Sequence, residues 1–196
     1  LRLEFDDLAS ESADYQAMLL HCNFDWQPSA LSPVEYLNEY NEFNIMDFEY
    51  SFNTKVHYVH YRFDLPQVKT TGNYLLVVYR NGDEDDVVIT HRFVVFRDQA
   101  AVGARAEPAL GSQAGAQLQQ VQFNVNYARI PLEYPQQNVK VVLRKNYRWD
   151  NAITNLQPVF VKEFQKMLEY EFFNFENAFA GGNEYRFFNM TRFGGG

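Results

Sequence analysis

Cysteine is nearly absent from the sequence, and long apolar runs are absent altogether. The single cysteine among 196 residues, Cys22, excludes an internal disulfide and a cysteine-rich zinc site. No apolar run approaches the roughly 20 residues that a membrane-spanning helix requires, so we expect no membrane-spanning segment. No signal peptide is visible, because the chain opens in a strand-like run, and we expect it to be a piece of a longer protein.

Basic residues are scarce relative to acidic ones. The chain has 17 Lys and Arg against 25 Asp and Glu, which gives a formal net charge of −8 at pH 7. Binding to a phosphate backbone requires clustered Lys and Arg side chains, and here the basic residues are scattered. The sequence therefore predicts that nucleic acid is not a partner.

Aromatic residues, in contrast, are abundant. The chain has 13 Tyr and 18 Phe, and 46% of its residues are hydrophobic, so it can bury a substantial core. Tyr and Phe favour β-strands, because flat, stiff side chains pack well on a pleated surface. The length allows one large domain or two of about 100 residues, which is the usual size of a β-sandwich.

Apolar and polar residues alternate through the first half of the chain, as they do in half-buried strands. The runs with this period are 1–5, 15–22, 47–52, 59–65 and 87–95. Residues 74–79 are apolar on both faces, which predicts a central strand, and Asn81-Gly82 predicts a tight turn that begins an acidic loop. About six strands in fewer than 100 residues is the rhythm of a β-sandwich.

Composition changes between Asp98 and Gln117, a stretch rich in Ala, Gly and Gln and free of aromatic residues. This change predicts a boundary, so that residues 1–98 and 99–196 form two tandem β-sandwich domains, the second with a first strand at 102–106. Strand patterns resume at 121–125 and 139–143. Residues 160–172 fit both a helical and a strand period, and we expect a loop followed by a strand, with a short helix as the alternative.

Residues that could perform nucleophilic catalysis do not form a recognisable site. No serine lies in a Gly-x-Ser-x-Gly elbow. His21 and Cys22 are neighbours on a predicted strand, so their side chains point to opposite faces and cannot act as a dyad. We therefore predict that the protein is not an enzyme and uses no cofactor. An acid pair, as in glycoside hydrolases, is the remaining enzymatic alternative.

Metal binding is not predicted either. His57 and His60 have a spacing that would align them on a helix, but their context predicts a strand. His91 falls on an apolar strand face, where we expect a core histidine rather than a ligand. The acidic residues 83–86 lack the spaced oxygen ligands of an EF-hand, and we interpret them as a solvated hairpin tip.

A polar segment at 29–45 is the best candidate for a binding surface. Trp26 lies just before this segment, and Tyr36, Tyr40 and Phe43 lie within it. Aromatic side chains on a polar loop suit protein binding, because they bury a large area at a small entropic cost. We predict that these four residues contact a partner. The alternative is a carbohydrate-binding β-sandwich in which Trp26, Tyr36 and Tyr40 form a sugar-stacking platform.

Two sequence blocks resemble the plug protein family of the Bacteroidota type IX secretion system. They are Arg148-Trp149-Asp150-Asn151-Ala152-Ile153 and, about thirty residues later, Gly181-Gly182-Asn183-Glu184-Tyr185-Arg186-Phe187. Further stretches agree in the family's order, and they are residues 3–8, 21–26, 47–53, 72–76 and 92–93. Each stretch is short, but together they extend through nearly the whole chain and make the resemblance specific.

The resemblance implies an architecture, a location and a role. It implies immunoglobulin-like or fibronectin-like β-sandwich domains in a chain about twice this long. It places the protein in the periplasm, at the inner face of the outer membrane. There it would dock on the mouth of the large β-barrel translocon and keep the barrel shut when no cargo is passing. The resemblance carries over no catalytic residue.

Overall fold

Regular structure is almost entirely β within residues 1–9, 11–109 and 118–182, which are the residues that the structure, a computed structural model, describes. The chain divides into two units, Leu1–Arg97 and Asp98–Gly196. The all-β class that the sequence predicts is confirmed. The hypothesis that residues 1–98 and 99–196 are separately folding domains stays a prediction.

The first unit contains seven strands and one helical turn within its described residues. The strands are β1 (Arg2–Asp7), β2 (Tyr15–Cys22), β3 (Phe43–Ile45), β4 (Asp47–Tyr50), β5 (Val59–Asp64), β6 (Gly72–Arg80) and β7 (Asp83–Val95). The helical turn, α1, is Pro33–Tyr36. Strand β2 has the bounds that the alternation predicts, and β6 lies centrally, as its two apolar faces predict.

Two antiparallel sheets form a sandwich in this unit. Their strand orders are β1-β5-β4 and β3-β2-β6-β7. If β1 to β7 are taken as strands B, C, C′, D, E, F and G, these orders are B-E-D and C′-C-F-G, the arrangement of an immunoglobulin sandwich without its first strand. The sandwich that the sequence predicts for this half is therefore confirmed, with immunoglobulin-like connectivity.

The core of the sandwich lies between the facing sides of β2, β5 and β6. The period of two holds there, since Tyr15, Ala17 and Leu19 are buried and alternate with half-buried neighbours. Aromatic rings join the two sheets. The Tyr61 ring stacks on Phe5 with centroids 5.0 Å apart, and it meets the edge of Tyr15 at 4.9 Å. Such geometries add about 0.5–1.5 kcal/mol per pair beyond the area that the rings bury.

The tyrosines of the first core cluster, Tyr15, Tyr36, Tyr61 and Tyr74, place their hydroxyls against hydrogen-bond partners. The Tyr61 hydroxyl accepts from the Ala13 amide at 2.8 Å, and the Tyr15 hydroxyl donates to the Asp7 carboxylate at 2.7 Å. The Tyr74 hydroxyl donates to the Thr70 carbonyl, four residues upstream, at 2.7 Å. A tyrosine near the start of strand F that bonds back to the preceding corner is the tyrosine corner of immunoglobulin-like folds.

Segment 29–45 is not a plain loop, because it contains α1 and β3. The helical turn begins with Pro33, whose fixed φ suits a first helical position, and it is held by a capping box. The Glu35 carboxylate accepts hydrogen bonds from the Ser32 amide and hydroxyl, at 2.7 and 2.8 Å. These bonds lower the pKa of Glu35 below its ordinary value. The turn ends at Leu37, which is extended and buried.

Strand β7 corrects two expectations. The tight turn at Asn81-Gly82 is confirmed, with φ angles of 55° and 71°, but residues 83–86 belong to β7 and are not a loop. The expectation that His91 is a core residue is wrong, because His91 is exposed. Strand β7 lies at the edge of its sheet, where the core covers its inner face only at positions such as Ile89 and Phe93.

The second unit is built around one long central strand in its described residues. Its strands are β8 (Ala101–Pro108), β9 (Leu118–Asn126), β10 (Phe160–Lys162), β11 (Met167–Tyr170) and β12 (Ala178–Ala180), and its one helical turn, α2, is Pro135–Asn138. Strand β8 pairs along one side of β9, and β11 and β12 share the other side. Residues 160–162 already form a strand, so residues 160–170 are a hairpin and not a loop followed by a strand.

The core of the second unit lies on one face of this sheet. The Phe123 and Tyr170 rings stack with centroids 4.5 Å apart, and Leu168 is fully buried. The long connection from β9 to β10 packs apolar side chains against them, Leu156 among these. The strand predicted at 139–143 does not form, and only Leu143 makes an isolated bridge, to Ile153.

Buried amide side chains fasten the segment after β11 to the central strand. The Gln122 side chain donates to the Phe172 carbonyl and accepts from the Phe172 amide, each at 2.9 Å. The Gln120 side chain donates to the Asn177 side-chain oxygen at 3.0 Å. Burial of three amide side chains is tolerated because their polar atoms are paired within this network.

We expect residues 1–97 to fold as an isolated fragment, because every buried residue of the first core cluster lies within that range. The fragment should show a β-type circular dichroism spectrum and one cooperative unfolding transition in urea. The matched variant Tyr61→Ala should destabilise the same fragment by about 3–5 kcal/mol, as truncation of a buried aromatic does. A molten fragment would show that the two units share one core.

We also expect the first unit to lose stability in alkali. Burial, with the Asp7 hydrogen bond, raises the pKa of Tyr15, and burial raises the pKa of Tyr74 to about 12. A folded-state pKa above the unfolded value means that the stabilisation is fully present below pH 10 and is lost as pH rises through the folded pKa. Urea unfolding at stepped pH should show this loss above pH 10, and Tyr74→Phe should make it less steep. A free energy of unfolding that stays constant to pH 12 would contradict it.

Candidate partner-binding surfaces

The four residues predicted to contact a partner differ widely in exposure. Tyr40 is 81% exposed, and Trp26 and Phe43 are half-buried. Tyr36 is only 2% exposed, and its hydroxyl donates to the Leu19 carbonyl at 2.9 Å. Burial therefore removes Tyr36 from the predicted contact surface. It holds α1 against β2 instead.

Trp26 lies in a tight turn that follows β2. The turn is closed by a hydrogen bond from the Asn23 amide to the Gln27 carbonyl at 2.9 Å, and Trp26 has a left-handed φ of 66°. The Arg92 guanidinium lies 5.0 Å from the centroid of the Trp26 ring. A cation over an aromatic face contributes about 0.5–1 kcal/mol at such a site. Trp26 is thus a positioned side chain on a rigid turn.

Phe43 and Tyr40 lie on the side of the larger sheet where β3 pairs with β2, and the side chain of Asn41, next to Tyr40, bonds to the Leu19 backbone. Phe43 is on β3, opposite Ala17, and its ring centroid is 6.1 Å from that of Phe63. Tyr40 lies near Tyr79. The pKa of Tyr79 is raised by burial first, and then by Glu42, Glu84 and Tyr40.

The aromatic residues therefore do not form one platform. Arg92, which covers Trp26, lies on β7, whereas Phe43 lies on β3, and these are the opposite edge strands of the sheet β3-β2-β6-β7. Neighbouring strands are about 4.8 Å apart, so the two edges are roughly 14 Å apart. A sugar-stacking row of Trp26, Tyr36 and Tyr40 is also broken by the burial of Tyr36. The geometry does not favour the carbohydrate-binding alternative.

His21 and Cys22, the polar neighbours considered above as a possible catalytic pair, have structural roles. The His21 ring bonds to the Ser29 hydroxyl at 2.7 Å, and a Cβ on Gly72 would lie only 2.2 Å from the His21 ring. Cys22 is buried, and burial raises the pKa of its thiol, which disfavours the reactive thiolate. Among the described residues, no group of three or more His, Cys, Asp and Glu side chains could hold a metal ion.

The outer face of the smaller sheet is a ladder of charges. The Arg2 guanidinium donates to both Asp64 carboxylate oxygens, at 2.8 and 2.7 Å, and this pairing lowers the pKa of Asp64. His60 lies 2.6 Å from an Asp6 oxygen, and Arg62 pairs with Glu49. Exposed pairs of this kind contribute little to stability, because solvent screens them. These pairs make the outer face polar, and they place each positive charge next to a negative one.

Sequence reasoning missed an aromatic edge on the first unit. Met46, Tyr50 and Phe52 are 81%, 57% and 93% exposed, and Phe48 is also exposed. The alternation of Phe48, Tyr50 and Phe52 predicts a half-buried strand at 47–52, whereas β4 ends at Tyr50 and lies at the edge of a three-stranded sheet. The edge position, which alternation alone does not reveal, exposes Phe48 and Tyr50, and Phe52 lies beyond the end of the strand.

The second unit presents a phenylalanine at the tip of the β10–β11 hairpin. Phe164 is fully exposed, and Phe160 on β10 is 55% exposed. The tip is held by hydrogen bonds from the Gln165 amide to the Lys162 carbonyl and from the Lys166 amide to the Glu163 carbonyl, both 3.1 Å. The Phe164 side chain is therefore displayed on an ordered turn.

Two sequence blocks carry the family resemblance. The structure describes the whole of the first block and only the first two residues of the second. In the first block, the Arg144 guanidinium lies 3.9 Å from the centroid of the half-buried Trp149 ring. The Arg148 guanidinium donates to the Asp150 carboxylate at 2.9 Å, and this bond lowers the pKa of Asp150. The second block, including Tyr185 and Phe187, lies outside the described residues beyond Gly182. No helix in the described ranges is long and apolar enough to cross a membrane.

Comparison with known proteins links the first unit to one family. Residues 1–97 match the family model described as the type 9 secretion system plug protein 1st domain. No curated protein matches the chain.

A solved structure resembles both units. It is the crystal structure of a hypothetical protein from Parabacteroides merdae, which is 35% identical in sequence and has a TM-score of 0.86. The match covers 94% of this chain and 47% of that chain, so the present chain spans about half the length of its relative.

Proposed function

Residues 1–97 belong to the family of type 9 secretion system plug protein 1st domains, and from this premise we propose that the chain plugs that system's outer-membrane translocon. The plug docks on the periplasmic mouth of the translocon barrel and seals it when no cargo is passing. The observation that carries the proposal is the family match, which covers the whole of the first unit.

The size and stiffness of a sandwich suit a stopper. A domain of about 100 residues has a radius of gyration of about 13 Å and hence a diameter of roughly 35 Å when nearly spherical. In the first unit, the Tyr15 and Tyr61 rings bridge the two sheets, and tyrosine hydroxyls fix the connections. A body of this kind can obstruct an opening that a flexible segment would leave permeable.

A stopper must also leave its seat, which limits how strongly it can bind. The net charge of −8 and the charge ladder on the smaller sheet give the chain a polar surface. An interface with a small aromatic centre and a polar rim would release at moderate cost. The proposed role is non-enzymatic, since docking and release require no covalent step.

Within this proposal, Tyr40 and Trp26 contact the barrel. Tyr40 has the most exposed ring of the four residues considered, and Trp26 is held in place by its turn and by Arg92. Phe43 is half-buried beside Phe63, and it packs segment 29–45 against the core. Rigid aromatic side chains that need little ordering are favourable anchors for a partner.

Tyr40→Ser should weaken association with the barrel and leave folding intact, because the ring is solvated in the free protein. Co-purification of the tagged chain from detergent-solubilised outer membranes should recover several-fold less barrel. Tyr147→Ser is the matched control, since Tyr147 is 86% exposed and lies in the second unit, outside segment 29–45. Equal barrel recovery from Tyr40→Ser and wild type would remove Tyr40 from the contact.

Cells that lack the plug should admit molecules too large for ordinary porins, because an unplugged translocon is an open channel. Uptake of a large antibiotic should rise in the deletion strain, return to normal on complementation, and return to normal when the barrel is deleted as well. Plug and cargo-loaded states should also exclude each other in purified translocon. If plug-less cells are no more permeable than wild type, the protein has a scaffold or assembly role.

A further inference from the structure

Strand β7 is an unusually long sheet edge for a unit of this size. It has 13 residues, whereas the other three edge strands of the sandwich, β1, β3 and β4, have 6, 3 and 4. Short edges are one of the devices by which natural sheets avoid pairing with other chains. That protection is missing at β7.

The outer side of β7 has no strand partner among the described residues. Strand β7 pairs with β6 alone, and no backbone hydrogen bond joins it to any other described segment. Its side chains are open to solvent as well, since Val87 and Val94 are 45% and 48% exposed. A row of main-chain donors and acceptors is therefore available along this edge.

Two halves of β7 differ in regularity. Seven consecutive rungs, from Val78↔Ile89 to Gly72↔Val95, pair β6 with β7 without interruption. The register shifts lie nearer the turn, at Tyr79 and Arg80, opposite the first half of β7. The half from 89 to 95 contains neither proline nor lysine, the residues that most often block an exposed edge, and the guanidinium of Arg92 lies over the Trp26 ring. Its regular pairing with β6 makes this half a template for another strand.

The other half carries a concentration of negative charge. Residues 83–86 are all acidic. Asp86 is paired, since it accepts two hydrogen bonds from Arg80, at 2.9 and 3.0 Å. Glu84 and Asp85 have no ion pair within the described part of the chain, and both are exposed. A ligand that aligned with β7 would be favoured by positive charge at this end and by apolar side chains at the other.

We infer that the free edge of β7 binds an extended segment of another protein, which adds to the sheet as a fifth strand. The segment pairs antiparallel, because such pairing is slightly more stable and every strand pair of this unit uses it. Its C-terminal end carries Lys or Arg against residues 83–85, and β-branched side chains follow residues 89–95. This inference holds whether or not the protein plugs a barrel.

A second copy of the chain fits the edge less well. Antiparallel self-pairing over the whole strand, centred on Ile89, would set Asp83 against Val95 and Asp85 against Phe93. It would set carboxylates beside apolar side chains with no opposite charge to pair with, and it would bring together two chains of net charge −8. A basic partner strand satisfies both halves at once.

The test uses the full chain and a fluorescent 13-residue peptide, Thr-Val-Thr-Val-Thr-Val-Thr-Ser-Thr-Ser-Lys-Lys-Lys, with anisotropy as the readout. Paired antiparallel along β7, its first seven residues lie opposite 95–89 and its three lysines opposite 85–83. Two further peptides have the same side chains, but alternate backbone nitrogens are methylated, on the odd positions in one and on the even positions in the other. A strand added to an edge uses amides of one parity only. We expect one methylated peptide to lose binding and the other to keep it. Equal binding by both would overturn strand addition.

Variants of the protein test the charge at the acidic end. Glu84→Lys with Asp85→Lys should weaken binding of the unmethylated peptide about tenfold, and added salt should weaken binding to the wild-type chain. The control, Glu133→Lys with Glu163→Lys, changes the net charge equally at exposed positions of the second unit and should bind normally. Equal loss in both pairs of variants would contradict a local charge contact.

Hydrogen exchange should locate the bound segment independently. Amides in 87–95 that face the free edge should gain protection when the unmethylated peptide binds, because they become hydrogen-bonded. Protection elsewhere, or no binding at about 1 mM peptide, would overturn the inference. Sedimentation that reveals a dimer, with amides in 87–95 already protected in the absence of peptide, would replace the partner strand with a second copy of the chain.

Discussion

A buried tyrosine hydroxyl must find a hydrogen-bond partner, and much of the first unit follows from this requirement. The rings of Tyr36, Tyr61 and Tyr74 fill the core, and their hydroxyls reach the backbone of neighbouring segments. In this way Tyr74 fixes the corner before β6, Tyr61 fixes the entry to β2, and Tyr36 fixes α1. An unpaired hydroxyl would cost about 1–3 kcal/mol, so the connections cannot move without penalty. Tyr170 differs, because its buried hydroxyl has no hydrogen-bond partner among the described residues.

The same property of tyrosine explains where the sequence misleads. Alternation predicts β2, β5 and β6 well, since a residue on a two-sided sheet must face either the core or the solvent. A tyrosine in a polar segment gives no such signal, because its ring suits a core and its hydroxyl suits a surface. Tyr36 and Tyr40 are equivalent in the sequence, yet one is buried and the other is exposed. Only tertiary packing distinguishes these two predicted contact residues.

Other features depend on whether a strand lies at the edge or the centre of a sheet, which alternation in a single sequence does not reveal. Exposed aromatics on β4 and the exposed His91 on β7 follow from edge positions, and alternation is identical for edge and central strands.

In the second unit, Gln120, Gln122 and Asn177 form a buried network around Phe172. A periodic pattern assigns glutamine to the solvent, so such a network is recognised only when its partners, about 50 residues away, are brought together.

The stacked arrangement of tryptophan and arginine recurs once in each unit. The chain has two tryptophans, Trp26 beneath Arg92 and Trp149 beneath Arg144. Each unit thus contains its own intrinsic fluorophore, and a single Trp→Phe replacement leaves the intact chain with a reporter for one unit alone. Emission from each ring will shift to longer wavelength as water replaces its surroundings. The two units can therefore be observed separately in one molecule, without an attached dye and without cutting the chain.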